Sequence, residues 1–304
     1  MKPAGKAHFA LIAAGFLFGA NYWIAKSTMP AFSPFQIVAF RIAIVTVLLW
    51  IISLFVKTTT KVSAPDFLRI FGAGFLGVTV NQFFFFSGLE HSSPVETSIL
   101  HTLSPLLVAL FAVLILSEKV SLRKYAGIVC GLLGAIIIVT SGKTPELSNL
   151  HFKGNLFILI NISAYSLYLV LIKPVMEKYE PLQVLKYVFL AGFITYAPIG
   201  FIYMKDASFH HVMNHEWLAL AYVVIATTLL TYLLTILAIK QLPATVIGFY
   251  IYLQPFIATF IGYLTGREQL SVPKLIAAAF LFTGVWLVLG REKRNKKAED
   301  NPIY

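Results

Sequence analysis

The chain has 304 residues, of which 58% are hydrophobic and 12% charged, with a formal net charge of +11. A water-soluble domain carries about 25% charged residues, so this composition excludes a chain that covers itself with polar groups in water. The excess of Lys and Arg is read as basic loops retained in the cytoplasm, not as a nucleic-acid surface.

Apolar runs of near 20 residues follow one another, continuous and without a period of two, so they read as spanning helices and not as barrel strands. Ten are expected, at 8–27, 35–56, 67–89, 95–117, 121–141, 154–173, 184–203, 217–239, 244–265 and 272–290. The first run is long enough to span and leads into the polytopic pattern, so no cleavable signal is expected. Polar breaks fall at Lys57–Asp66, Gly142–Lys153 and Lys205–Glu216. The single Cys130 sits in an apolar run, so neither a disulfide framework nor a thiolate metal site is expected, and no cofactor.

The chain repeats itself. Glu118-Lys119-Val120-Ser121 returns 150 positions later as Glu268-Gln269-Leu270-Ser271, and Pro105 returns as Pro255. Upstream the offset is 147, carrying Ser33-Pro34-Phe35-Gln36 to Glu180-Pro181-Leu182-Gln183 and Lys26 to Lys173. The expected organisation is a first repeat at 8–141, a loop at 142–153, a second repeat at 154–290 and a basic tail at 291–304. Glycines Gly127, Gly131 and Gly134 in the fifth span, and Gly284 in the tenth, belong to the same pattern.

With the N-terminus placed inside, sixteen Lys and Arg fall in cytoplasmic segments and five outside. That bias puts both termini in the cytoplasm of a plasma-membrane protein. Five spans per repeat is an odd number, so the second copy inserts upside down. Inverted repeats give two similar conformations, each open to one side, which is the geometry of alternating access.

Polar side chains deep in a span are costly and face a cavity or another helix. The repeat superposes Asn21 on Tyr168, Asn81 on Thr231, Gln82 on Tyr232 and Ser104 on Gln254. Helical spacing groups Asn161, Tyr165 and Tyr168 on one face, Thr97, His101 and Ser104 on another, and Tyr250 with Gln254 on a third. Thr228, Thr231 or Tyr232, and Thr235 form a hydroxyl stripe. With Tyr22, these faces are the candidate lining of a substrate cavity.

Pro105 and Pro255 lie about ten residues into their spans, where each removes a backbone hydrogen bond and kinks the helix. Arg41, about 9 Å deep in span two, is read as structural in preference to anion-binding. Glu96 and His101 are candidates for proton coupling, although i, i+5 spacing sets them far apart around the helix. Lys26 and Lys186 stand at span ends and can snorkel. Glu118 and Glu268 read as turn residues.

No nucleotide-binding loop, zinc motif or nucleophile elbow is present, so an enzyme is not expected. Leu17-Phe18-Gly19-Ala20-Asn21-Tyr22, ending at Lys26, resembles the start of a repeat in the EamA family of the drug/metabolite transporter superfamily. Phe40-Arg41, Ser104-Pro105-Leu106, the turn from Leu116 to Glu118, and Gly127 to Gly134 are similar to further parts of that repeat. Gln254-Pro255-Phe256, Glu268 and Gly284 follow it in the second copy. The chain departs from the pattern at Phe18, where the family has Trp. Glu96 and His101 are not part of the general pattern.

The resemblance implies an all-α polytopic membrane protein with ten transmembrane helices, as two inverted five-helix repeats around a central cavity. It implies a permease, often an exporter, moving amino acids, other metabolites or toxic compounds. The expected partners are the lipid bilayer and a small-molecule substrate, with no nucleic acid; two modes stay open, proton antiport and uniport down the substrate gradient. A nucleotide-sugar or sugar-phosphate exchanger would need several cations facing the cavity, and only Arg41, Lys26 and Lys186 are available. A lipid-modifying enzyme would need clustered carboxylates or His at one membrane face, and a receptor or scaffold would not need the repeat.

Overall fold

The computed structural model describes residues 3–56, 61–116, 121–140, 149–205, 207–231, 234–235, 250, 253–267 and 271–289. Its elements are all helical, and no strand occurs among the described residues. The first half holds α1 (Pro3–Thr28), α2 (Pro34–Leu54), α3 (Ala64–Gly74), a π-helical segment π1 (Phe75–Val80), α4 (Asn81–His91), α5 (Pro94–His101), α6 (Ser104–Leu116) and α7 (Leu122–Thr140). The second holds α8 (Leu150–Met176), α9 (Pro181–Met204), α10 (Asn214–Ala221), a π-helical segment π2 (Tyr222–Leu230), α11 (Leu253–Leu264) and α12 (Val272–Leu289).

Among the described residues, six rods are long and apolar enough to cross a membrane: α1, α2, α3 through α4, α5 through α6, α8 and α9. Three shorter apolar stretches lie in α7, α11 and α12. The eighth and ninth expected spans are described only in part. Tyr232, Glu118, Glu268, most of the loop at 142–153 and the basic tail lie outside the described residues.

Local chemistry sets where the helices begin. Ser33 caps α2 by accepting from Gln36 N, while the Gln36 side chain returns a bond to Ser33 N at 2.9 Å. Ser63 and Ser93 cap α3 and α5 by accepting from Asp66 N and Glu96 N. Proline follows at the first positions of α2, α5 and α9, where its missing N–H removes nothing. The matched prolines Pro34 and Pro181 thus both open helices. The shift in repeat offset has a location: α2 has 21 residues and α9 has 24. The two π segments end at Val80 and Leu230, in step with the later offset.

Polarity is arranged inside out relative to a soluble protein. Phe9 is 66% exposed and Phe201 70%, whereas Asn161 is 1% exposed and Thr97 0%. Apolar faces of this size meet lipid at no cost, and the polar groups must find partners within.

The packing crosses between the halves. α1 lies on α11 and π2, α8 lies on α4 and α6, α2 lies on α9, and α7 lies on α12. The α7–α12 seam depends on glycine: a Cβ on Gly284 would stand 2.6 Å from the Gly127 carbonyl, and one on Gly134 would stand 2.8 Å from that of Ala277. Backbones approach this closely only where side chains are missing.

One end of the bundle, here the far end, is where α1 stops. Lys26 Nζ donates there to the carbonyls of Leu89, Glu90 and Ser92 at 2.5, 2.7 and 3.0 Å, closing the last turn of α4. α5, α8 and α12 begin at this end, as the contacts of Glu96 with His151 and Lys274 require. At the near end Asp66, opening α3, bonds with Lys178 and Tyr179, which follow α8.

Candidate functional site

A cavity of about 340 Å³ lies among α1, α2, α4, π2, α5, α8 and α11, with Tyr250 and Thr235 contributing at the near end. This is within the range of small-molecule sites, about 300–1,000 Å³. Eleven of the fourteen residues expected to line it do so: Asn21, Tyr22, Asn81, Gln82, His101, Ser104, Asn161, Tyr165, Thr231, Tyr250 and Gln254. Arg41 joins them, with Leu11, Ala14, Gly15, Phe18, Phe85, Thr227 and Thr235.

The lining is built by contacts across the halves. Tyr22 donates its hydroxyl to Gln254 Oε1 at 3.0 Å, and His8 Nδ1 lies 2.7 Å from the Tyr250 hydroxyl. Trp23 Nε1 donates to the Ala258 carbonyl at 2.7 Å, and the Tyr222 hydroxyl to that of Leu17 at 2.8 Å. α1 is thereby pinned to α11 and π2. On the opposite wall, Ser104 and Ser166 hydroxyls lie 3.3 Å apart.

π2 re-aims the threonine stripe. Thr227, Thr231 and Thr235 line the cavity, while Thr228 turns aside and accepts from Arg41 Nε at 2.6 Å. Thr227, Thr231 and Thr235 each donate to the carbonyl four residues back, at 2.6, 2.8 and 2.7 Å. Their hydroxyl protons are thus spent on backbone, leaving oxygen lone pairs as the polar feature they present. The Arg41 guanidinium also stacks over Phe86, 5.6 Å from the ring centroid.

Two expected lining residues are placed differently, and a third is not described. Tyr168 is buried over Gly77, whose absent side chain leaves room for its ring. Thr97 is fully buried, and its carbonyl meets His101 Nδ1 at 2.8 Å. Tyr232 lies outside the described residues.

Glu96 and His101 are held by separate groups. The His101 ring faces Tyr22 and Phe85, with centroids 5.6 and 5.7 Å away. The Glu96 carboxylate meets His151, Asn155 and Lys274. Spacing within one helix could not reveal those partners, which lie 55 to 178 positions downstream.

Pro105 follows a break in the α5–α6 rod. Thr102 and Leu103 fall between the two helices, and their N–H groups bond to Ile99 and Leu100, three residues back. The ring of Pro105 denies the His101 carbonyl its usual donor. Pro255 is buried in the first turn of α11.

Inward polar groups around a small chamber, within an apolar exterior, define a multi-pass helical membrane protein with an internal site. The model of the EamA-like transporter family matches residues 5–140 and again residues 152–290. The chain belongs to this family, and is a membrane transporter of the drug/metabolite transporter superfamily.

An uncharacterized transporter of Bacillus subtilis, YyaM, is 26% identical over 277 residues, covering 90% of each chain. An uncharacterized transporter of Archaeoglobus fulgidus is 23% identical, over 94% of this chain and 98% of its own. A WAT1-related protein of Arabidopsis thaliana is 22% identical, over 99% and 86%. A crystal structure with 20% identity shares the fold at a TM-score of 0.61, over 93% of this chain and 96% of its own.

Proposed function

We propose that this protein is a secondary transporter that exports a small organic metabolite, such as an amino acid, or a drug-like compound, by alternating access. Its architecture is read as ten spans in two inverted five-helix repeats, 8–141 and 154–290, with both termini in the cytoplasm of the plasma membrane. The observation that carries the reading is the cavity itself, formed jointly by both halves and lined by aromatic rings, carboxamides and hydroxyls. Such a site binds without bond chemistry and can present similar surfaces to either side.

The helix pairings support the repeat. α1 packs on π2 and α11 as α8 packs on π1 and α6, while α2 pairs with α9 and α7 with α12. Exchanging the halves leaves this pattern unchanged, as two-fold repeats demand. A sugar-phosphate exchanger is disfavoured, because Arg41 is the one Lys or Arg among the described lining residues.

The test is uptake into proteoliposomes from a panel of amino acids, sugars and organic cations, with and without a pH gradient. Saturable movement of one class supports the reading, and acceleration by the gradient adds proton exchange. Failure of every class to move overturns it.

A further inference from the structure

Glu96 is 3% exposed, and its carboxylate is held by the other half of the chain. His151 Nε2 lies 2.9 Å away and Asn155 Nδ2 2.9 Å, both from the first turns of α8. Lys274 Nζ, in the first turn of α12, lies 3.1 Å away. Asn155 Oδ1 also accepts from Ser92, just before α5. Ser93 already caps α5, so helix formation does not require this cluster. Instead, three helix N-termini meet at one anionic side chain, which their dipoles favour.

The position matters as much as the chemistry. His101 lines the cavity and Glu96 does not. The two are five residues apart on α5, about 7.5 Å of rise toward the far end. The cluster therefore lies between the cavity and that end, while the lining extends the other way to Leu11, Thr235 and Tyr250. Elsewhere at the far end, Phe32 packs against Phe209 and Trp217 at 5.9 and 5.0 Å, again joining the two halves.

We propose that the Glu96 cluster is a charge-dependent latch that closes the far end of the cavity. Access from that side requires α5 to part from α8 and α12, and the carboxylate must then give up His151 and Lys274. Protonating Glu96 weakens the latch, since it removes the negative charge and leaves two cationic groups facing each other. The other charges nearby do not replace it. Lys26, from α1, is engaged with the end of α4, and His91 lies 3.5 Å from Glu90. Lys153, on α8, lies over the Phe157 ring at 5.5 Å, Arg267 follows α11, and Arg123 is at the opposite end of α7. Mild acidification charges His151 and holds the latch closed, whereas acidification strong enough to protonate the Glu96 carboxylate favours the state open to the far side.

This inference goes beyond the transport reading, and its test measures access to the cavity. The full-length chain carries Cys130→Ala and a reporter, Ser104→Cys, in oriented vesicles. A membrane-impermeant maleimide is added on the far side, and each rate is divided by that of the denatured chain at the same pH. Glu96→Gln and Lys274→Gln are each expected to raise labelling severalfold near neutral pH. The parent reporter chain is expected to show a comparable rise on acidification strong enough to protonate Glu96, and Glu96→Gln to lose that response. Unchanged labelling in both variants, or a retained acid response in Glu96→Gln, overturns the latch. Gated labelling in a chain that moves nothing from the substrate panel would count against transport and not against the latch.

Discussion

Asn81 and Asn161 bind each other reciprocally. Asn161 Nδ2 donates to the Asn81 carbonyl at 2.7 Å, and Asn81 Nδ2 donates to the Asn161 carbonyl at 3.3 Å. The pair clamps α4 to α8 at the cavity wall and fixes which way each carboxamide points. Asn161→Ala removes the side-chain donor to the Asn81 carbonyl, while the bond from Asn81 Nδ2 to the backbone carbonyl of residue 161 remains. Hydrogen bonds between membrane helices average about 0.6 kcal/mol and reach about 2, so a loss of about 1 kcal/mol is expected. A thermal melt in detergent reads it, and an unchanged midpoint would show that the clamp adds nothing to stability.

The seam between α7 and α12 should be intolerant of even a methyl group. Gly284→Ala places its Cβ against the backbone of Gly127 and Gly131. Overpacking of this kind costs about 1–3 kcal/mol. Gly72 is the control, since a Cβ there meets nothing within 4 Å. Gly72→Ala is expected to be neutral or to stabilise by up to about 1 kcal/mol through helix propensity. Equal melting temperatures for the two variants would contradict the packing.

Lys26 should matter through its ammonium and not its stem. Lys26→Met keeps the aliphatic length but strips donors from three carbonyls at the end of α4. A loss of about 1–2 kcal/mol is expected from the unsatisfied acceptors. Lys26→Arg should recover part of it. The midpoints of both variants, measured side by side, decide the point.

Tyr22→Phe removes the hydroxyl that meets Gln254 while keeping the ring beside His101 and Phe85. Stability is expected to fall by no more than about 1 kcal/mol. The half-saturating substrate concentration in proteoliposome uptake should shift severalfold. An unaltered value would place the substrate away from this wall.

The helices were legible because their signals are local. Ser-Pro pairs open α2 and α5, and the apolar runs set the lengths of the spans. Most of the cavity was legible too, because i, i+4 spacing puts Asn161 and Tyr165, or Tyr250 and Gln254, on one face whatever they meet. Spacing fails where the backbone leaves the α-helical period. π2 rotates Thr228 off the lining and brings Thr227 onto it. It fails also where space decides, as with Tyr168, which fills the room left by Gly77. The partners of Glu96 were hidden for another reason. His151 and Lys274 each look like ordinary loop charges until three distant helix ends are brought together.

α9 exceeds α2 by three residues, about 4.5 Å of helix at 1.5 Å each. Under the alternating-access proposal, two halves that trade places would carry this inequality with them. The conformation open to one face would then not be an exact copy of the one open to the other, and the two would differ in energy before any ligand arrives.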